Sequence, residues 1–447
     1  MARSIARGLV ALGLVLLAAC AGSDSQADSP GDPQRASGSI RFLVFGDPAE
    51  LSAFRDVVAA FQREQRDVTV SLIEASDRAD LIARLSTSIA GGSPPDVFLL
   101  NYRYYGQFAS KGAIEPVDQR LAASKSLKEG DFYPQAFEAF RWGGRLQCLP
   151  QNVSSLAVYY NRDLFKRYGV TPPRAGWTWA EMLSTASQLT RDAQGRVVRA
   201  AESESTSAAA IYGLGVEPSL IRIAPFVWSN GGRLVDDDNR PTRLTLDEPK
   251  AKEALRAFLE LRSAYGVIPT DQEVEAEDDE SRFANGRLAM VLSSRRATPT
   301  FRKAAKFDWD VAPLPVHAQQ VGILHSDGYC MTSASKNKDA AWRFMEFALG
   351  EQGQTVVART GRTVPSMRKV SLSPAFLDAS KPPRNAQAFL DAIPTVRRSP
   401  SISTWPEIED AVEGILENGL YKGEPVDSVV RKLDDATRGL FKRGQVP

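Results

Sequence analysis

The sequence predicts an α/β fold in which a parallel sheet is covered by helices. Short apolar segments lie at residues 40–45, 68–73 and 96–100, and apolar residues recur at helical spacing between them. Because strand and helix alternate with short turns, the strands are expected to run parallel with helices on their faces. A chain of 447 residues is longer than a single hydrophobic core usually supports, which predicts two or three folded units.

Composition excludes several classes of function. The chain carries 55 Lys and Arg residues against 54 Asp and Glu residues, so no overall field favours nucleic acid as a partner. Two histidines, His317 and His325, and three cysteines leave little material for a metal site or for histidine-based catalysis. The sequence therefore predicts no metal, no cofactor and no catalytic residue.

The amino terminus is typical of an export signal. Two arginines precede an apolar run at residues 9–18, and the run ends in Leu-Ala-Ala-Cys at 17–20. This ending resembles the lipobox of bacterial lipoproteins, which implies cleavage after residue 19 and lipidation of Cys20. An ordinary secretory peptide with a chance cysteine is the alternative. Residues 1–20 are thus predicted to be a signal peptide and residues 21–39, rich in Ser, Asp, Gly and Pro, a flexible tether.

The two remaining cysteines, Cys148 and Cys330, lie in apolar, strand-like segments. An exported protein meets oxidising conditions, which allow them to pair. Two buried free thiols are the alternative, because the sequence does not give the separation of the two residues.

Polar residues follow the predicted parallel strands. Gly46 and Asp47 come directly after the first strand, and Asn101, Tyr102 and Tyr104 follow the third. In a parallel sheet, ligands collect beyond the carboxyl ends of the strands. We therefore expect a binding site at this edge.

A second dense stretch runs from Cys148 to Met182. It contains a polar loop with Asn152 and Ser154, an apolar strand, and two tryptophans one residue apart. Thr178 and Glu181 have the spacing of a capping box, which predicts a helix that begins at the tryptophans. The stretch is expected to supply one wall of a site.

Later segments give mostly structural signals. Residues 247–266 form an amphipathic helical pattern, and residues 283–292 indicate a helix end, a glycine turn and a strand. The acidic residues 236–239 predict a surface turn, because the glycine and distal glutamate of a calcium loop are missing. The acidic run at 271–280 predicts a solvated loop or helix face.

Aromatic residues recur at predicted strand ends, loops and helix starts. Aromatic faces pack against the apolar face of a sugar ring, while charged and amide groups take its hydroxyls. At any single position such a residue also fits a core. The candidates for a binding platform are Tyr102, Tyr104, Trp177, Trp179, Trp228 and Tyr329, with Arg362 as a candidate for a charged contact.

Several segments, in this order and spacing, resemble the extracellular solute-binding proteins of bacterial ABC importers. The resemblance covers residues from about 40 to 441, and it includes the cluster of maltose-, trehalose- and glycerol-3-phosphate-binding proteins. The segments are GGSPPDVFLLNYRYYGQFASKGAIEPVD, LPQNVSSLAVYYNRDLFKRYGV, GWTWAEM, FVWSNGG, FANGRLAMV, SKNKDAAWRFMEFAL and GRTVPS.

The resemblance implies a two-lobed periplasmic-binding-protein fold of type II, with a multi-segment hinge and a ligand cleft between the lobes. Lobe one would comprise residues 40–149 and 311–357, and lobe two residues 150–310 and 358–447.

The resemblance also implies ligand-binding positions, which match this sequence residue by residue. Asn101 and Ser154 stand where some sugar-binding relatives carry an acid, a departure that fits a ligand with an anionic group. The resemblance assigns loop contacts to Asp47, Glu50, Asn101, Tyr104 and Ser154, stacking to Trp228 and Tyr329, a close backbone approach to Gly328, and a ligand contact to Arg362; Asn152, Trp177 and Trp179 complete the predicted set.

Together these observations predict a lipid-anchored receptor that binds a carbohydrate or sugar derivative and delivers it to an ABC permease, without catalysis. The anchor would hold it at the outer face of the cell membrane or in the periplasm. Two alternatives remain open at this point. One is a membrane-anchored carbohydrate-active enzyme, a lyase or hydrolase, and the other is a module that presents its ligand to a membrane sensor.

Overall fold

A computed structural model describes residues 37–198 and 209–447. The predicted signal peptide, the lipidation site Cys20 and most of the tether lie outside the described residues. Part of the polar segment at 191–208 lies outside them as well.

Short strands and helices alternate along the chain. The strands are β1 Gly38–Phe45, β2 Val68–Ala75, β3 Val97–Asn101, β4 Ile114–Glu115, β5 Arg141–Trp142, β6 Arg145–Leu146, β7 Cys148–Pro150, β8 Leu156–Asn161, β9 Met290–Ser294, β10 Trp309–Ala312, β11 Gly322–Ile323, β12 Asp327–Thr332 and β13 Val396–Arg397. The helices are α1 Pro48–Glu64, α2 Arg78–Ala90, α3 Tyr102–Ala109, α4 Asp118–Ala123, α5 Pro134–Glu138, α6 Arg162–Tyr168, α7 Trp179–Leu189, α8 Leu220–Ser229, α9 Pro249–Ser263, α10 Asp271–Ala276, α11 Asp279–Ala284, α12 Thr298–Ala304, α13 Lys338–Leu349, α14 Glu351–Arg359, α15 Arg368–Ser371, α16 Gln387–Ala392, α17 Trp405–Tyr421 and α18 Val426–Arg443.

The first sheet has the strand order β2-β1-β3-β12-β4, and β7 also pairs with β12. The strands β1, β2 and β3 run parallel, as the alternating pattern predicts. Strand β12 lies antiparallel to β3. The start of β12 therefore lies at the same edge of the sheet as the end of β3.

Strands β7 and β12 are joined covalently. Cys148 lies directly opposite Cys330 in their antiparallel pairing, and the two residues form a disulfide with their Cα atoms 4.3 Å apart. Of the two alternatives that the sequence leaves open, the structure therefore contains the paired form.

The second sheet is antiparallel, with the strand order β10-β8-β9. The chain crosses from the first sheet to the second at residues 151–155 and returns at residues 313–326. The first hydrophobic core packs mainly around the first sheet. The second packs around the second sheet and buries helices α7, α8, α9 and α17.

The start of α7 agrees with the sequence. The Thr178 side chain accepts a hydrogen bond from the Glu181 backbone, and the Glu181 side chain accepts one from the Thr178 backbone, which completes the predicted capping box. The acidic stretches also have structural roles. Asp236 accepts hydrogen bonds from Thr242 within a surface turn, and the run at 271–280 contributes to two short helices, one of which is capped by Asp278.

Within the described residues, none of the helices is long and apolar enough to cross a membrane.

Candidate ligand-binding cleft

A cavity of about 520 Å³ is lined by residues from both sheets and their connections. The first wall consists of residues that follow β1, β2 and β3 and of the residue that begins β12: Gly46, Asp47, Ser76, Asp77, Arg78, Asn101, Arg103 and Asp327. The second wall consists of residues around the start of α8 and the end of β9: Glu217, Ile221, Arg222, Ser294, Arg295 and Arg296.

The first wall is built on helix starts. Asp47 caps α1, because its carboxylate accepts hydrogen bonds from the backbone N–H groups of Ala49 and Glu50. Asp77 caps α2 in the same way, and Asn101 caps α3. Each strand therefore ends in a polar cap, and the caps bring carboxylate and amide groups to one edge of the sheet.

Two carboxylates and a guanidinium form the most tightly connected part of the cavity. Arg362 Nη1 lies 2.6 Å from Asp47 Oδ2, and Arg362 Nε forms an ion pair with Glu50. Burial raises the pKa of Glu50 to about 7, although the ion pair with Arg362 acts in the opposite direction. The arginine predicted from the sequence thus binds the two predicted carboxylates.

A second cluster of polar side chains surrounds Asp327. Its Oδ1 accepts a hydrogen bond from Asn101 Nδ2 at 3.1 Å, and its Oδ2 accepts one from Asn152 Nδ2 at 3.2 Å. The Asp327 backbone N–H donates to Asn152 Oδ1 at 2.8 Å. These bonds fix the carboxylate in one orientation at the cavity surface, which suits a group that accepts hydrogen bonds from ligand hydroxyls.

The second wall is rich in arginine. Arg222 Nη2 lies 3.1 Å from Glu217 Oε2, and the nearby Arg222 charge lowers the pKa of Glu217. Arg296 forms an ion pair at 2.9 Å with Glu280. Arg295 is almost fully buried, donates from Nε to the carbonyl of Gly361, and burial lowers its pKa to about 10.

Six of the residues predicted from the sequence lie together in this cavity: Asp47, Glu50, Asn101, Asn152, Ser154 and Arg362. Ser154 is held by a two-way backbone pairing with His325, which also lines the cavity. Direct ligand contacts by these residues stay a prediction.

Trp228, the predicted stacking residue, does not lie at the cavity surface. The residue lies on helix α8, its side chain is fully buried in the second core, and the guanidinium of Arg397 lies 4.9 Å from the ring centroid. The sequence misleads here because Pro225 and the following glycines resemble a loop, whereas the helix continues through the proline to Ser229.

Trp177 and Trp179 are likewise buried outside the cavity. Trp177 Nε1 donates a hydrogen bond to the carbonyl of Pro313, and Trp179 stacks on His317 with ring centroids 5.3 Å apart. Both pack in the second core because the capping box places them at the buried start of α7. The structure therefore corrects the expected position of these two tryptophans, because neither lines the cavity.

Gly328 and Tyr329 pack inside the first core rather than at the cavity. A Cβ atom at Gly328 would lie 2.7 Å from the ring of Phe140, so packing inside the first core requires the glycine there. The Tyr329 ring is fully buried against the Phe42 ring, and the two ring centroids lie 4.8 Å apart. Neither residue lines the cavity, and the neighbouring Asp327 does.

The two tyrosines after β3 have different surroundings. Tyr102 is buried, and its hydroxyl donates to the carbonyl of Leu324. The Tyr104 ring is partly buried, with the guanidinium groups of Arg78 and Arg103 5.3 and 5.4 Å from its centroid. Tyr104 does not line the cavity itself but contacts two arginines that do, and its predicted contact with the ligand stays a prediction.

Sequence reasoning missed most of the charged lining, although signals were present. Arg78 and Arg103 follow strand ends, where the rule that located Asn101 applies equally. Arg222 is the one charged residue in the apolar segment LIRIAPFVWS, which is unusual for a buried helix. Asp327 begins a strand that pairs with β3, a long-range pairing that no local pattern indicates.

Two α/β cores that line one polar cleft define a two-lobed ligand-binding protein. Residues 46–355 match the sequence pattern described as bacterial extracellular solute-binding protein. The chain belongs to this family, the solute-binding proteins of ABC importers.

Several known proteins are similar to this chain. The chain is 22% identical over 407 residues to a maltotriose-binding protein of Pyrococcus abyssi, which covers 89% of this chain and 82% of that protein. The substrate-binding protein Lmo0181 of Listeria monocytogenes, solved with cycloalternan, has a TM-score of 0.80 at 24% identity and covers 90% of this chain and 99% of that one. UgpB of Mycobacterium tuberculosis, solved with glycerophosphocholine, has a TM-score of 0.76 at 21% identity, and the match covers 91% of this chain and 99% of that one. These similarities confirm the predicted two-lobed fold of type II.

Proposed function

We propose that the protein captures a carbohydrate or sugar derivative in the cleft and delivers it to a membrane permease. The observation that carries this proposal is the hydrogen-bonding group at the first wall, where Asp327 is oriented by Asn101 and Asn152. Oriented carboxylate and amide groups recognise hydroxyls from fixed directions. The maltotriose and cycloalternan bound by similar proteins support a polyhydroxylated ligand.

Binding is proposed to close the lobes on the ligand. Under this proposal, residues 40–149 and 311–357 form lobe one and residues 150–310 and 358–447 form lobe two, with the boundary at residue 311 moved to residue 313. Strand β10 pairs with β8, so residues 311 and 312 lie in the sheet of lobe two, and the return crossing begins after them. A ligand that contacts both walls favours the closed form and shifts the population toward it.

A thermal-shift screen of mono- and oligosaccharides, polyols and their charged derivatives tests the proposal. A ligand at one hundred times its Kd stabilises the folded state by about 2.7 kcal/mol. We expect at least one compound to raise the melting temperature and, in small-angle X-ray scattering, to decrease the radius of gyration. If no compound in the panel changes either quantity, the proposed function is wrong.

The same compounds separate a receptor from an enzyme. A receptor returns its ligand unchanged, so chromatography after prolonged incubation should recover each compound intact. Formation of a shorter or unsaturated sugar by the purified protein would favour the alternative of a lyase or hydrolase.

We also propose that Cys20 carries the lipid anchor that holds the receptor beside its permease. The wild-type protein should fractionate with membranes, and the Cys20→Ser variant should be released into the soluble fraction. Equal release of both proteins would contradict the anchor and leave the ligand-binding proposal untouched.

A further inference from the structure

The six arginines that line the cavity differ in how they are neutralised. Four of them form ion pairs: Arg103 with Glu409, Arg222 with Glu217, Arg296 with Glu280, and Arg362 with Asp47 and Glu50. Three of the six, the ion-paired Arg222 among them, keep a buried guanidinium nitrogen that has no hydrogen-bond partner among the described residues: Arg78 Nε, Arg222 Nε and Nη1, and Arg295 Nη1. A buried charged donor without an acceptor is costly, so these nitrogens favour an acceptor supplied by water or by a ligand.

Arg222 is the clearest case of a guanidinium group with more hydrogen-bond donors than acceptors around it. The residue is only 4% exposed, lines the cavity, and uses Nη2 for its contact with Glu217. Arg78 lies over the rings of Phe45 and Tyr104 and forms no ion pair with any described residue. Glu217 holds the Arg222 side chain and the two rings hold that of Arg78, so both guanidinium groups are positioned at the cavity before a ligand binds.

The start of helix α8 adds to this positive region. Arg222 lies in the first turn of the helix, and the N-cap residue Ser219 makes no side-chain capping hydrogen bond. An uncapped helix start carries partial positive charge and favours an anion. The starts of α1, α2 and α3, which also reach the cavity, are instead capped by Asp47, Asp77 and Asn101.

The His325 ring lies in the same positive electrostatic potential. Its pKa is well below the ordinary value, first because the ring is buried and then because of the charges of Arg222, Arg103, Arg296 and Arg78. The ring is therefore neutral at physiological pH. Its buried Nε2 has no partner among the described residues, and it lines the same cavity.

We propose, on the basis of the proposed function, that the cleft selects a polyhydroxylated ligand that carries one anionic group, either a carboxylate or a phosphate. Arg78, Arg222 and Arg295 receive the anion with the start of α8. Asp327, Asn101 and Asn152 receive the hydroxyls. Guanidinium groups bind both anions through paired N–H donors, so the shared chemistry is that of a planar or tetrahedral oxyanion.

Matched ligand pairs test the proposal by isothermal titration calorimetry. The probes are D-glucose with D-glucuronate, D-glucose with D-glucose 6-phosphate, and glycerol with glycerol 3-phosphate, together with the charged and neutral forms of any compound found in the thermal-shift screen. We expect a charged member to bind at least tenfold more tightly than its neutral partner, with an affinity that falls as salt increases. Preference for the carboxylate or for the phosphate member identifies which anion is bound.

The possible failures are distinguishable. If only neutral compounds bind, or if neutral and charged partners bind equally, the anion proposal is wrong and the proposed function stands. If no compound binds, the proposed function itself is wrong, and the anion proposal with it.

Variants locate the anion. Arg222→Gln and Arg78→Gln should each weaken binding of the charged compound at least tenfold, and clearly more than they weaken binding of the neutral partner. Arg443→Gln, on the exposed face of α18, is the control and should change neither. Arg78 is partly exposed, so its variant provides the test if Arg222→Gln does not fold. Equal losses for charged and neutral compounds, or no loss, would contradict the proposal.

Discussion

At the scale of single residues, Glu50 couples stability to pH. Burial raises its pKa to about 7, above the ordinary value of 4.5. Between these two values the folded protein binds more protons than the unfolded chain, so the free energy of unfolding falls as pH rises. A shift of this size corresponds to a loss of at most about 3 kcal/mol.

We therefore predict that Glu50→Gln removes part of this pH dependence. Between pH 5 and pH 8, urea denaturation should show the wild type losing more stability than the variant. Glu64→Gln, at the exposed end of the same helix, is the control and should follow the wild type. Parallel pH profiles for wild type and Glu50→Gln would show that Glu50 titrates normally.

Trp228 is the residue at which sequence and structure differ most. The sequence places it beside a glycine pair, a position typical of a loop, whereas the structure buries it completely on α8. The periodicity of LIRIAPFVWS does not show which aromatic faces a ligand, because all ten residues of this helix are buried. Burial all round a helix erases the polar face from which exposure is predicted.

We predict that Trp228→Ala lowers the free energy of unfolding by about 3–5 kcal/mol, because truncation of a buried tryptophan leaves a cavity. Thermal unfolding measures the loss, and Trp142→Ala, at a half-buried position, should cost less. If Trp228→Ala kept its melting temperature and lost ligand affinity, the stacking role predicted from the sequence would be restored.

At the scale of elements, local signals predicted helix starts and strand ends well. Asp47 follows β1, and Thr178 and Glu181 frame α7, because capping depends on residues three or four positions apart. The same locality explains what was missed. Strand β12 lies between β3 and β4 in the sheet although more than 200 residues separate it from either, so the site residue Asp327 has no local signature.

The disulfide between β7 and β12 ties two elements that are 182 residues apart in the chain. A cross-link over such a distance restricts the unfolded chain, and removal of a native disulfide typically costs about 2–5 kcal/mol. We predict that Cys148→Ala combined with Cys330→Ala lowers the melting temperature and makes it insensitive to a reducing agent. The oxidised wild type should lose stability on reduction.

Thiol counting provides the control for this prediction. In a Cys20→Ser background, denatured but unreduced protein should expose no reactive thiol. Two reactive thiols would show that Cys148 and Cys330 are free, the alternative that the sequence leaves open.

At the scale of the whole molecule, the sequence predicted the fold class but not which residues line the two walls of the cavity. The order of motifs along the chain indicated two lobes. The cleft, however, combines Arg78, Arg222 and Arg295, which lie far apart in sequence and on elements of both cores. Only the pairing of sheets and helices brings such residues together, and a single sequence does not encode that pairing in any local pattern.

One ion pair links the two cores directly. Arg103 on α3 and Glu409 on α17 lie 2.6 Å apart, with side chains only 10% and 14% exposed. Helix α3 packs in the first core and α17 in the second. Trp405 Nε1 donates a further hydrogen bond to Glu409, which orients the carboxylate toward Arg103.

We predict that Glu409→Gln lowers the free energy of unfolding by about 3–5 kcal/mol, because it leaves the Arg103 charge buried without its partner. Since the pair joins the two cores, its loss should also increase the radius of gyration of the unliganded protein. Glu407→Gln is the matched control two residues away. It breaks the exposed pair with Arg443, which contributes at most about 1 kcal/mol. Thermal unfolding and small-angle X-ray scattering of both variants measure the two effects. If Glu409→Gln and Glu407→Gln gave the same melting temperature and the same radius of gyration, Arg103 and Glu409 would not hold the cores together.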